Sequence, residues 1–416
     1  MNDKILLQLA AQYGTPTYIF DVSSLKDRVH SIKEIFGPEV TLCYSIKANP
    51  FLIPAMLDAA DRLEVCSPGE LQICEALYRS GQVPKDSFFD RIVYSGVCKT
   101  EEDIEAAVRD GAGIYTAESI PQFKLLHKAA AAAGKTLPVL LRLESGAQFG
   151  MSREDLFRIL DHRDDYPCLS VEGLHYFAGT QRKKTARQIR ELDMLRDLFS
   201  ETRCRYGIAF RRLEYGPGLA VPLFEGEDFS DTLAPAREIA AALKSACGWA
   251  DVTVEMGRFF VTECGYYLTR VMERKHSGEK KYALVDGGIH HVNYAGQIMG
   301  MKVPVIRHLK PSPSKLPESD AGSSTPGTAQ AESIAICGSL CTTNDDLVRE
   351  ITITDLAPGD LLAFCNIGAY SVTEGIYLFL SRTMPRIVLY NSEQDIQLAR
   401  DRVESSRINT IGFQTQ

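Results

Sequence analysis

The sequence predicts an α/β fold: a (β/α)8, TIM-like barrel followed by a C-terminal β-sandwich or β-barrel domain. Two observations carry this expectation. Between Val40 and Gly257, short apolar runs of strand length alternate about eight times with amphipathic stretches of helix length. From about Phe259 onward, strand-like segments follow one another without intervening helices. A doubly wound open sheet is the alternative for the first part, but it usually has fewer repeats.

Residues 1–15 read as an amphipathic helix closed by Gly14, and TPTYIFDVSSL as a strand ending at Asp21 that passes into a helix. TLCYSIKANP (41–50) is a short buried strand ending in a lysine. LIPAMLDAADR reads as a helix, LEVCS as a strand, and PGELQICEALYRSG as a helix with proline at its start and glycine after its end. RIVYSGVCKT, GIYTAES, LPVLLRLE, LSVEGLHYF, RRLEYG and VTVEMG continue the strands. EEDIEAAVRDG, IPQFKLLHKAAAAAG, SREDLFRILDHR, the long TARQ segment (185–207) and EDFSDTLAPAREIAAALKSACG supply the helices. YYLTRVMERK, KYALVDGG, MKVPVIRHL, ESIAICGS, EITITDL and DLLAFCNIG then read as strands. The expected domains are an N-terminal segment 1–35 contributing to the β-domain, a barrel over 36–270, and a β-domain over 271–416. Within the last, 310–332 is rich in Pro, Ser, Gly and Ala and reads as a flexible surface insertion.

The chain has 416 residues, a net charge of -8 and 45% hydrophobic residues, which is ordinary globular composition. The acidic balance and lack of a long basic run argue against nucleic acid as a main partner. No stretch has the length of a membrane span. The N-terminus MNDKILLQLAAQYG lacks a charged region followed by a long apolar core, so no signal peptide is expected. Eleven scattered cysteines read as free thiols of a cytoplasmic protein. Cys337 and Cys341 have no companion CxxC or histidine cluster, so no metal site is expected.

In a barrel, chemistry gathers at the C-terminal ends of the strands. Lys47 stands there first; a desolvated lysine has a lowered pKa and can form a Schiff base, although a lysine at a barrel rim is the plainer reading. Glu64 and Ser67, then Ser95, Gly96 and Lys99, then Arg142, end the next strands. His175 is followed by Gly179, Thr180 and Gln181, and RRLEY by Gly216-Pro217-Gly218. Glu255-Met256-Gly257-Arg258 follows the last strand. Each has a plain alternative: a glycine pair that merely turns, a helix-face pair for Glu255 and Arg258, a satisfied histidine. Together they suit pyridoxal phosphate: glycine backbone for a phosphate, a carboxylate for a pyridine nitrogen, an imidazole for a flat ring, and a lysine.

These motifs resemble those of the fold-type III pyridoxal-phosphate decarboxylases, the group of diaminopimelate and ornithine decarboxylases, over essentially the whole chain outside the insertion. YSIKAN (44–49) matches the Schiff-base lysine motif, and EVCSPGEL (64–71) the second-strand motif with its acidic residue near that lysine. GPGL (216–219) stands for a triple-glycine phosphate loop with Pro217 in the middle, and EMGR (255–258) for EPGR. CTTND (341–345) matches a Cys-x-x-x-Asp motif and GAY (368–370) a phosphate-contacting tyrosine motif. The resemblance implies catalytic roles for Lys47 and Cys341, the latter as general acid. It implies cofactor contacts from Lys47, Glu64, His175, Thr180, Gly216, Gly218, Glu255, Met256, Gly257, Arg258 and Tyr370. Substrate contacts would come from Arg258, His290, Tyr294, Thr342, Asp345 and Tyr370. It also implies a homodimer with shared active sites.

Where diaminopimelate decarboxylases carry a glutamate after the cysteine, and ornithine decarboxylases an aspartate, this chain has Thr342. Where the former carry an arginine for the distal carboxylate, VDGGIHHVNYA (285–295) offers His290, His291 and, near the arginine's place, Tyr294. A site built for a charged end loses several kcal/mol without its counter-charge. HYFAGTQ (175–181) is also longer than the usual HIGSQ, and with QFGM (148–151), VDGGIHH and FLSR (379–382) looks more like the decarboxylase branch of butirosin biosynthesis, whose substrate is a glutamyl group on a carrier protein. Decarboxylases of siderophore pathways are another comparable set. The expected activity is decarboxylation of a derivatised, neutral-ended or carrier-linked amino acid. The alternatives are meso-diaminopimelate decarboxylase, an inactive regulatory homologue, and a racemase on the same barrel.

Overall fold

The computed structural model describes residues 1–294, 301–311 and 331–413, in two compact units. The expected insertion at 310–332 lies almost wholly outside the described residues. One unit comprises Lys26–Val221 and Phe229–Phe260, the other Met1–Leu25, Pro222–Asp228 and Val261–Gln416. The chain opens with helix α1 (Asp3–Tyr13), strand β1 (Thr17–Asp21) and helix α2 (Val22–Phe36).

The first unit is a closed barrel of eight parallel strands: β2 (Thr41–Ser45), β3 (Arg62–Val65), β4 (Ile92–Tyr94), β5 (Ile114–Ala117), β6 (Leu137–Arg142), β7 (Leu169–Phe177), β8 (Arg212–Gly216) and β9 (Asp251–Met256). Pairing of Thr41 with Thr253 and of Cys43 with Glu255 closes the ring. Helices α3 (Ile53–Leu57), α4 (Pro68–Arg79), α5 (Glu101–Asp110), α6 (Ile120–Ala132), α7 (Arg153–Asp161), α8 (Thr185–Tyr206), α9 (Ala234–Ala246) and α10 (Arg258–Val261) follow the strands. Their starts are chemically marked. Ser67, Ser119 and Ser152 accept backbone N–H groups at three N-termini, and Thr100 with Asp103 forms a capping box. Two helices are shorter than the pattern suggests. Pro54 and Pro235 each sit in the first turn, where the N–H that proline lacks would have no intrahelical partner, so α3 and α9 begin there.

Alternation along each strand decides what points into the barrel. Cys43, Val93, Ile114 and Leu140 form a buried cluster inside it. On the same parity lie Ser45, Glu64, Glu214 and Glu255. One strand would break this order without a bulge. Val139 pairs with Val171, but Leu140 pairs with Gly173, so Glu172 is an extra residue on β7. A one-residue slip exchanges the two faces of a strand. The bulge therefore turns Gly173 and His175 inward, opposite Leu140 and Arg142. Gly173 is needed there, because a Cβ would overlap the Arg212 carbonyl on β8.

The second unit is a mixed sheet of β10 (Gly265–Ser277), β11 (Lys280–Val285), β12 (Ile306–Leu309), β13 (Ala331–Cys337), β14 (Asp346–Thr354), β15 (Leu361–Phe364), β16 (Arg386–Ser392) and β17 (Asp395–Arg400) with β1. β1 runs antiparallel to β10 and parallel to β16. The N-terminal strand thus joins this sheet, as the sequence suggests; β16 and β17 are strands that the sequence reading passes over. The boundaries differ from the expected 35 and 270. Residues 261–270 belong to the sheet unit because β10 starts at Gly265 and pairs with both β1 and β15. Lys26 onward belongs to the barrel unit. Leu6, Leu9 and Ala10 of α1 pack on Ile19, Leu268 and Val388 to form the core of the sheet unit.

Candidate active site

Lys47 lies in a single 3-10 turn, Ile46–Ala48, at the C-terminal end of β2. Its ammonium donates to Glu64 Oε2 at 2.6 Å and to Cys66 Sγ at 3.3 Å, and lies 3.8 Å from Glu255 Oε1. Burial pulls its pKa down, but the Glu64 and Glu255 carboxylates pull harder, and the net effect is well above the ordinary lysine value. This corrects the expectation of a lowered pKa: two carboxylates on the inward parity keep Lys47 charged.

Glu255 accepts Ser45 Oγ at 3.0 Å and His175 Nε2 at 2.9 Å. Burial would raise its pKa, yet the His175 hydrogen bond and the Lys47 charge hold the carboxyl well below the usual range. His175 Nδ1 is buried and has no hydrogen-bond partner among the described residues. The Cys66 thiol donates to Glu64 Oε1 at 3.0 Å, and burial with the Glu64 charge pushes its pKa well up, so it stays protonated. Beneath these groups, Glu214 is buried, and burial with the charges of Glu255 and Glu64 raises it well above the carboxylate range.

The glycine loops leave room that any side chain would fill. Gly218 has φ of +60°, and a Cβ on it would overlap the Gly179 carbonyl oxygen. A Cβ on Gly216 would strike the Phe177 ring, and one on Gly257 would come 2.9 Å from Ala48 Cβ. The loops are tied together: Arg182 N–H donates to Gly218 O at 2.9 Å, and Gln188 Nε2 to Pro217 O at 3.1 Å. Arg258 is buried at the start of α10, while Thr180 is exposed. Met256 departs from its expected cofactor role. It pairs with Tyr44 on the outward parity, so its side chain points away from Lys47. Arg142 rests on the Phe149 ring and lies 3.7 Å from Glu118. The Lys99 ammonium is buried and donates to Gly96 O, Thr116 O and Gln122 Oε1, and its burial pulls its pKa down to about 8.

The remaining expected residues are in the sheet unit. Cys341 is exposed on the turn between β13 and β14. Asp345 organises that turn, its carboxylate accepting from Ile289 N and Leu340 N, both at 2.7 Å. Thr342 lies within it, its N–H donating to Leu340 O at 2.8 Å. Tyr370 has φ of +68°, and its carbonyl accepts from Thr373 and Glu374. Tyr294 is corrected to a core residue: its hydroxyl donates to Cys365 O at 2.6 Å in the interior. His290 is likewise enclosed, 3.7 Å between ring centroids from His291, and burial with the Arg382 charge pushes its pKa down to about 4. Asp345 is 3% exposed, so its part is to hold the turn rather than to meet a ligand.

Ser45 and Cys66 are the site residues that sequence reasoning missed. Both could have been found, since each stands two residues from an inward position, Cys43 and Glu64 respectively. The bulge that aims His175 has no such signal.

The barrel site therefore offers an amine beside carboxylates, an ionised carboxylate held by a histidine, an orphaned imidazole nitrogen, and a glycine cradle. These fit a flat, phosphate-bearing aldehyde. No helix among the described residues is long and apolar enough to cross a membrane. The chain is 26% identical to the L-glutamyl-[BtrI acyl-carrier protein] decarboxylase of Niallia circulans, over 98% of this chain and 96% of the relative. It is 25% identical to the diaminopimelate decarboxylase of Neisseria meningitidis serogroup A over 97% of each. The crystal structure of diaminopimelate decarboxylase from M. jannaschii in complex with L-lysine superposes with a TM-score of 0.80 at 22% identity, covering 96% of this chain and 92% of that one, a likeness of fold. The sequence profile described as pyridoxal-dependent decarboxylase, pyridoxal binding domain, matches residues 22–262. With more than half its length matched, the chain belongs to the pyridoxal-dependent decarboxylases.

Proposed function

We propose that this pyridoxal-phosphate decarboxylase removes the α-carboxylate of an amino acid whose far end is neutral, derivatised or attached to a carrier protein, with a glutamyl thioester as the leading candidate. The observation that carries this is Tyr294. Where free diaminopimelate would need a cation for its distal carboxylate, a tyrosine is locked into the core with its hydroxyl on Cys365 O. Thr342, neutral beside Cys341, points the same way. The full-length likeness to a carrier-linked glutamyl decarboxylase supports it.

When bound, pyridoxal phosphate supplies an electron sink for the bond to the departing carboxylate. Lys47 would anchor its carbonyl carbon. Glu64, at 2.6 Å, holds the Lys47 amine in place and favours its charged form until the cofactor arrives. Glu255, kept ionised by His175, would hold the protonated pyridine nitrogen. The backbone of Gly216, Gly218 and Gly257 would take the phosphate. Exposed Cys341 would deliver the proton that replaces the lost carboxylate, within a homodimer whose sites are shared. Its exposure on a turn supports delivery to a second chain.

The test is carbon dioxide release from L-glutamyl thioester on a carrier protein and from free meso-diaminopimelate. Turnover of the thioester alone is expected. Efficient turnover of diaminopimelate would restore lysine biosynthesis as the reading, which the several diaminopimelate relatives favour.

A further inference from the structure

Between β7 and the first turns of α8, nine consecutive residues, 182–190, carry five cations and no acid, in a chain of net charge -8. Arg182 is spent on Glu191. Lys184, Arg187 and Arg190 are exposed and have no carboxylate partner among the described residues. Nearby, Glu238 accepts the Thr185 hydroxyl instead. Arg187, Arg190 and exposed Met194 follow at spacings of three and four, so they run along one face of α8 beyond Lys184.

This placement works against the fold. A helix N-terminus already carries partial positive charge, and acidic residues belong there. α8 has no acid in its first turn, as α6 and α9 also have none, and no side chain caps it. The cations therefore add repulsion that an external anionic surface would relieve. Their position is also set by the site. The segment leaves the C-terminal end of β7, the end that carries Lys47. It is stitched to the Gly216–Gly218 cradle by Arg182 N–H on Gly218 O and by Gln188 on Pro217 O. Gln181 adds two further bonds to Val221, both at 2.9 Å.

We propose that Lys184, Arg187 and Arg190, with Met194 at the end of the stripe, form the docking surface for an acidic carrier protein that presents the aminoacyl substrate on a phosphate-linked arm. The proposal rests on the carrier-linked reading above and names the surface that reading requires. Exposed charges at the rim of an interface act chiefly through encounter rate and salt dependence, so the effect belongs in KM for the carrier-borne substrate.

The experiment compares two substrates with holoenzyme: L-glutamyl thioester on BtrI acyl-carrier protein, and the same thioester on free pantetheine. In Lys184→Glu/Arg187→Glu/Arg190→Glu, KM for the carrier-borne substrate should rise about tenfold or more at low salt. Turnover of the free pantetheine thioester should stay unchanged, which also reports a folded, loaded enzyme. The triple alanine variant should shift KM the same way by less. For wild type, added salt should raise KM for the carrier substrate only. If wild type uses the carrier-borne substrate and charge reversal leaves its KM unaltered, the surface is refuted while the substrate reading stands. If wild type releases carbon dioxide from neither thioester, the substrate reading falls and takes this proposal with it.

Discussion

Replacing Glu64 by Gln should make Lys47 a better nucleophile in the cofactor-free protein. Glu64 Oε2 is 2.6 Å from the ammonium, and Glu255 stays behind at 3.8 Å. A unit charge about 4 Å away is worth about 4 kcal/mol at an effective dielectric of about 20. The Lys47 side chain is 40% exposed, so solvent screening cuts this to about 2 kcal/mol. The sign follows from the raised pKa: Glu64 favours the charged amine, and its removal lowers the inflection. The assay is the rate at which apoenzyme captures pyridoxal phosphate, followed by absorbance across pH, with Lys47→Ala as the blank. The pH inflection should move down, with capture at neutral pH about tenfold faster or more. An inflection that stays in place, or rises, would refute the claim that Glu64 holds the Lys47 proton.

Two further outcomes follow from the barrel interior. Gly173→Ala places a methyl group against the Arg212 carbonyl at the β7 bulge, and should cost about 2 kcal/mol or more, lowering the melting temperature by about 5 °C. An unchanged melting temperature would mean that the two strands part freely there. Glu214, buried with a raised pKa, is neutral at low pH. Its contribution is undiminished below the ordinary carboxylate pKa and is lost as pH rises toward the folded value. Glu214→Gln should therefore gain stability relative to wild type with each step above about pH 4.5, by up to about 1.4 kcal/mol per unit. Urea melts between acidic and mildly alkaline pH measure this, and parallel curves for the two proteins would overturn it.

Much of the site is visible as chemistry at strand ends. Lys47, Glu64, His175, Gly216, Gly218 and Glu255 all sit in the barrel unit where the alternation of strands and helices puts them. What local pattern does not reveal is parity and partner. Met256 is adjacent to Glu255 in sequence yet faces the other way, because successive strand residues point to opposite sides. The sequence resemblance puts Tyr294 near the place of a ligand-binding arginine, yet its hydroxyl finds a carbonyl at Cys365, 71 residues away.

By itself the sequence determined the barrel and the sheet unit with its N-terminal strand, and through its likeness to a known family it pointed to pyridoxal-phosphate chemistry with Lys47 as the proposed anchor. The first two depend on periodicity, which is a local quantity. Only the tertiary structure decided the charge state of Lys47 and the direction of His175. The first depends on carboxylates from β3 and β9 meeting one amine, and burial and Coulomb attraction act on distances that close only when the ring closes. The second depends on one extra residue on β7, whose effect exists only in register with its neighbour.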